Sequence, residues 1–145
     1  MRQVIKFCLL FSLLLAQQVY AEPLKPFVAS SRAEIEKAHQ SQPMILAFWS
    51  LDCVYCLDEL SILGDFVKQH SKIKLVLVNT DGLSSSQEVA KALKQVHLPP
   101  AYEAWQFAET DEERLRYSID KKWYGELPRT YYYDNLHQIK AVSGS

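Results

Sequence analysis

The chain of 145 residues has no excess of positive charge, no internal repeat and no low-complexity tract. Sixteen Lys and Arg stand against seventeen Asp and Glu, so no basic face for nucleic acid is implied. No apolar run reaches the ~20 residues that span a bilayer. Cysteine is scarce, with residues at 8, 53 and 56 only. A structural zinc site would need two more ligands beside Cys53 and Cys56, yet there is no second cysteine pair, and the histidines at 70, 97 and 137 stand alone.

What is present begins with "MRQVIKFCLLFSLLLAQQVYA", in which Arg2 and Lys6 precede an apolar stretch from Phe7 to Ala16. Val19, Tyr20 and Ala21 then end the segment where a signal peptidase reads, the pattern of a cleaved secretory signal over residues 1–21. Cleavage removes Cys8, and it takes Arg2 and Lys6, leaving fourteen basic residues against seventeen acidic ones, a net charge near −3. A tether through an uncleaved amino terminus is the alternative. Residues 22–145 then suit one domain with one core, and "EPLKPFVASS" reads as a linker into it.

Two apolar runs, Met44 to Trp49 and Ile73 to Asn79, read as buried strands. Between them Leu57, Leu60, Leu63 and Val67 recur at helical spacing, so the cysteine pair opens a helix that crosses from one strand to the next. Ser85 with Glu88, Ser31 with Glu34 and Thr110 with Glu113 have the spacing of capping boxes and predict three further helices. An extended piece is expected over Tyr102 to Phe107 and a helix from Asp111 to about Asp120. "RTYYYD" and "QIKAV", separated by Asn135, Leu136 and His137, predict a hairpin. An α/β domain with a mixed sheet follows.

The pair Cys53 and Cys56 can be read three ways. As a structural disulfide it closes so short a loop that little chain entropy is removed. As a zinc site it lacks ligands. Electron exchange is favoured by position: Cys53 falls where a buried strand gives way to a helix, near unpaired N–H groups and the positive end of the helix dipole, which stabilise a thiolate. Cys56 lies one turn on, placed to attack a mixed disulfide formed at Cys53, so Cys53 is the expected nucleophile and Cys56 the resolving thiol.

"FW", three residues, then "CVYC" at a strand-to-helix junction resembles the signature of the thioredoxin superfamily, and "ELPRTYYYD" matches the cis-proline loop of that family. The likeness spans roughly Pro43 to Val142 and is greatest to the periplasmic TlpA-like thiol-disulfide oxidoreductases. It implies a thioredoxin-like fold with a mixed central sheet flanked by helices and an insertion before the cis-proline loop. It further implies that Cys53 and Cys56 are the redox pair, that Trp49 packs beside them, and that Leu127 and Pro128 form the loop on which a substrate chain lies. Arg129 would bring a positive charge near that site. The implied activity is dithiol-disulfide exchange with protein substrates, usually in the reducing direction, without a bound cofactor, in the periplasm, with electrons from a membrane-bound partner. The alternative is a binding module of the same fold or a copper carrier.

Four departures from the family pattern bear on mechanism. Asp52 precedes the nucleophile and opposes its thiolate. Ala47 stands where thioredoxin has a buried aspartate that assists proton transfer. Val54 and Tyr55 match no familiar pairing between the cysteines. The family helix that follows the last strand has no counterpart before Ser145, so either the helix from Arg32 to Gln40 and the inserted segment together cover part of that sheet face, or a partner does, or the chain is a shortened member of the family.

Overall fold

The computed structural model describes residues 24–144. The expected secretory signal, residues 1–21, lies outside the described residues. In chain order the elements are β1 (Lys25–Phe27), α1 (Ser31–Ala38), β2 (Met44–Trp49), α2 (Cys56–Gln69), β3 (Lys74–Asn79), α3 (Ser86–Gln95), β4 (Glu103–Phe107), α4 (Glu112–Ile119), β5 (Arg129–Tyr133) and β6 (Ile139–Ser143). They build one six-stranded sheet in the order β1-β4-β3-β2-β5-β6. The first four strands of that order run parallel, and β5 and β6 join antiparallel.

Strand β2 is buried along its whole length because helices cover both faces of the sheet there. Ile45, Ala47 and Trp49 point into a cluster with Leu60, Leu63 and Val67 of α2 and Val89 and Leu93 of α3. Met44, Leu46 and Phe48 point the other way, into a cluster with Ile35 of α1 and Leu115 and Ile119 of α4. The alternation is the period-2 pleat of a strand expressed in a fully apolar run.

The linker reading of "EPLKPFVASS" is corrected, since Lys25–Phe27 form an edge strand parallel to β4. Phe27 is fully buried against Phe48 and Phe107, ring centroids 5.7 and 5.6 Å away. Three residues with Pro26 in the middle give no readable alternation, and proline is tolerated there because the strand has one neighbour. The caps also differ from expectation. At α4 the cap is Asp111, whose carboxylate accepts the Arg114 N–H at 2.9 Å. Ser85 makes no side-chain cap, as a short 3-10 turn over Leu83–Ser85 leads into α3 instead. Ser31 lies inside α1 and its hydroxyl accepts the Val28 N–H at 2.9 Å.

The segment read as an insertion supplies β4, which lies between β1 and β3, and α4. Helix α1 packs on the face opposite α2, so the sheet beside α2 is not covered by it. There Phe66, Tyr132 and Val142 are 45%, 36% and 38% exposed. Among the described residues no helix follows β6.

Helix α2 carries Gly64 where a Cβ would fall on the carbonyl of His97, well inside van der Waals contact. Alanine normally favours a helix over glycine by about 1 kcal/mol. Here Gly64→Ala is expected to destabilise by about 1–3 kcal/mol, because backbone must move to admit the methyl group. Urea denaturation measures the sign.

Glu103 at the start of β4 faces Lys74 and Lys25 at 3.1 and 3.2 Å. Burial by itself raises its pKa, but the hydrogen bonds and charges of Lys74 and Lys25 outweigh this and hold the carboxyl at about 2. Its contribution to stability is therefore fully present above the unfolded value of 4.5 and is lost as pH falls from there towards 2. At ~1.4 kcal/mol per unit, and discounted for partly exposed Lys25, we expect about 1–3 kcal/mol lost over that window. Glu103→Gln should flatten that part of the pH-stability curve.

Candidate active site

Strand β2 ends at Trp49 and the chain turns through Ser50, Leu51 and Asp52 before the cysteines. The Cys53 N–H donates to the Ser50 carbonyl at 3.4 Å and the Cys56 N–H to the Cys53 carbonyl at 3.2 Å. Helix α2 starts at Cys56, so Cys53 occupies the turn before it rather than the first helical position. The nucleophile expected from sequence still lies at the amino-terminal end of a fourteen-residue helix, where its dipole is positive. Asp58 and Glu59 occupy the first turn of that helix.

The two sulfurs are joined in a disulfide, with Cα atoms 5.4 Å apart. The pair is asymmetric. Cys56 is completely buried, whereas Cys53 is partly exposed. A thiolate or disulfide from solution reaches Cys53 and not Cys56.

Register places Arg129 of β5 opposite Phe48 of β2, so Pro128 and Leu127 lie at the end of the sheet where β2 gives way to the cysteines. The Leu127-Pro128 bond is cis. Leu127 packs against the same cluster as Cys53, Cys56 and Trp49. Among the described residues its own N–H and carbonyl make no hydrogen bond. Trp49 is 1% exposed and sits in the core cluster with Cys56. The exposed apolar groups of this region are Val54 and Tyr55 between the cysteines, with Tyr124 in the loop that leads to Leu127.

The charge attributed to Arg129 is not free. The side chain is buried, with Nη2 on Asp120 Oδ2 at 2.8 Å, Nη1 on the Ser143 hydroxyl at 2.7 Å, and the guanidinium over the Tyr131 ring. Burial raises the Asp120 carboxyl, but hydrogen bonds from the Lys122 N–H, Arg129 and Tyr131 more than offset it, and the net shift is down. Asp52, by contrast, is exposed, where water screens its effect on Cys53.

Two acidic side chains that sequence reasoning passed over are brought to the site. Thr130 lies beside Ala47 in the β2-β5 ladder, and its hydroxyl donates to Glu59 Oε1 at 2.7 Å. A carboxylate from α2 is thereby held over the position where Ala47 has none, one helical turn from Cys56. Asp81, just after β3, accepts the Leu51 N–H at 2.8 Å. Only the spacing Cys56 to Glu59 was legible as a helical i,i+3 pair.

No known family model matches the sequence, and no curated protein matches it either. Solved structures do match. A secreted Mycobacterium tuberculosis disulfide oxidoreductase homologous to E. coli DsbE superposes with a TM-score of 0.56 at 15% identity, over 75% of this chain and 74% of that one. DsbF from the same organism gives 0.57 at 19% identity, over 74% of each chain. A thioredoxin-related protein from Neisseria meningitidis serogroup B gives 0.58 at 18%, over 72% and 75%. The chain has a thioredoxin-like fold. The thioredoxin-like frame accounts for the placement of the cysteines after β2 and of the cis-proline at the start of β5.

Proposed function

We propose that the protein is a periplasmic thiol-disulfide oxidoreductase that exchanges electrons with protein substrates, mainly in the reducing direction. The observation that carries this reading is the Cys53-Cys56 disulfide at the end of β2, with one sulfur open to solvent and the other fully buried. Export is supported by the amino-terminal segment and by the secreted protein of the same fold. A membrane-bound reductase is the proposed source of electrons.

In the reducing direction the Cys53 thiolate attacks a client disulfide, forming a mixed disulfide and releasing one client thiolate, which takes a proton. Cys56 then loses its proton and attacks the Cys53 sulfur. The second client thiolate leaves and is protonated, and the Cys53-Cys56 disulfide remains. Two electrons and two protons have passed to the client, and the reductase must restore them. Leu127 offers its unpaired backbone groups to an extended client segment, as an added strand does to a sheet edge. Val54, Tyr55 and Tyr124 supply apolar contact around it.

Glu59 is the proposed acceptor of the Cys56 proton, held in place by Thr130. Glu59→Gln should slow the resolving step by roughly tenfold or more and change the pH profile of that step. Single-turnover release of a client thiol from the mixed disulfide measures both; an unchanged rate and profile assigns the proton elsewhere.

Reduction of insulin disulfides by the purified protein with dithiothreitol as electron source tests the enzyme reading. Turnover well above the rate with dithiothreitol alone is expected, and no acceleration would refute it.

A further inference from the structure

Leu51 stands two residues before Cys53. Its N–H donates to Asp81 Oδ2 at 2.8 Å, across thirty residues of chain. The same oxygen accepts from Asn79 Nδ2 at 2.8 Å, and the Asp81 N–H returns a bond to Asn79 Oδ1 at 2.9 Å, so the two side chains fix each other. Behind them Gln106 donates from Nε2 to the carbonyls of Asp81 and Gly82 at 3.2 and 2.9 Å, and its Oε1 accepts the Ser86 hydroxyl at 2.7 Å. Asn79 and Gln106 are both fully buried.

Two buried amides among Val, Leu and Phe disfavour the fold unless every polar atom is paired, and apolar residues of similar volume would serve stability at least as well. Here the amides are paired, and the network runs from the α3-β4 segment through Asp81 to the backbone just before Cys53. Its output is geometric. The turn that carries the sulfur is held by one charged acceptor on a rigid strand end.

We propose that Asp81 is a positioning residue for the redox pair: clamped by Asn79 and Gln106, it fixes the Leu51 N–H and so the backbone that presents Cys53, and it sets a negative charge beside that turn. The assignment rests on reading Cys53 and Cys56 as a redox couple. Asp52 is exposed and screened by water, whereas Asp81 is half-buried and held against the Leu51 N–H. The two consequences separate. The charge opposes a thiolate at Cys53 and so favours the disulfide. The hydrogen bond holds Cys53 in an attacking geometry and so sets the rate of exchange.

The test compares wild type, Asp81→Asn, Asp81→Ala and Gln106→Met, each equilibrated in glutathione buffers at about pH 8, where a cysteine thiolate is populated. Exchange with a small aromatic disulfide gives the rate. Wild type must first show a reversible couple; its absence defeats the redox reading itself. With the couple present, Asp81→Asn keeps an oxygen for the Leu51 N–H and loses the charge, so the equilibrium should move about 3–10-fold towards the reduced protein. Asp81→Ala should show that shift and, in addition, exchange about tenfold more slowly than Asp81→Asn. Gln106→Met leaves the carboxylate in place and should slow exchange without moving the equilibrium. An unmoved equilibrium in Asp81→Asn, or equal exchange rates in all variants that fold, overturns the proposal, and lowered stability alone makes Asp81 a structural residue.

Discussion

Cys56→Ser is expected to accumulate mixed disulfides with client proteins, whereas Cys53→Ser accumulates none and loses exchange altogether. The reason lies in the burial of the two sulfurs. Cys53 is partly exposed at the amino-terminal end of α2, and Cys56 is sealed behind it among Trp49, Leu60 and Leu63. Attack from solution therefore starts at Cys53, and only an internal thiol can release the client quickly. Removing the resolving thiol leaves the mixed disulfide without that intramolecular step, whose effective concentration no external thiol matches. Loss of Cys53 removes the thiolate itself, so the effect is several orders of magnitude rather than a few-fold. Non-reducing electrophoresis of each variant mixed with reducible proteins, followed by mass spectrometry, reads the adducts. In the reduced wild type, Cys53 should also be alkylated before Cys56. Adducts on Cys56, or prior alkylation there, would reverse the roles.

Arg129→Ala is expected to destabilise the fold by about 2–4 kcal/mol, a larger effect than on chemistry. The sequence suggests a cation beside the redox pair, but the guanidinium is spent on structure. Its two terminal nitrogens bind Asp120 and Ser143, and its plane lies over Tyr131. Through these contacts it ties the end of α4 to β5 and β6. Truncation leaves Asp120, 22% exposed in its side chain, with the Tyr131 hydroxyl but without its charge partner. Full burial would give the upper end of the range, and the residual exposure of Asp120 lowers it. Asp120→Asn should cost less, because an amide still accepts from Arg129 and Tyr131. Urea midpoints of the three proteins, with exchange rates measured well below the transition, separate stability from chemistry. A stable Arg129→Ala protein with strongly altered exchange would restore the charge role.

Strands β2 and β3 were legible because burial on both faces makes them continuous apolar runs, and α2 because one face repeats at helical spacing. Strand β1 was not, since three residues at an edge leave no period to detect. The caps failed for a related reason: several Ser, Thr and Asp residues precede each helix, and tertiary partners such as Gln106 decide which hydroxyl is free to cap. At the site, Cys53 and Cys56 stood out through their chemistry and their place after a buried strand, and Pro128 through the resemblance to the cis-proline loop. Glu59 and Asp81 did not, because what places them is a partner distant in sequence, Thr130 seventy-one residues from Glu59 and Leu51 thirty from Asp81. The burial of Trp49 depends on how α2 and α3 close over β2.

The central claim is that the Cys53-Cys56 disulfide is a working redox couple rather than a staple. The most direct test is equilibration of the purified protein in graded glutathione buffers, with acid quench and thiol counting. One reversible two-electron transition is expected, in which the ratio of reduced to oxidised protein rises with the squared concentration of reduced glutathione divided by the concentration of oxidised glutathione, and the protein remains folded in both states. A disulfide that stays closed in fully reduced glutathione, or one whose reduction unfolds the domain, would contradict it.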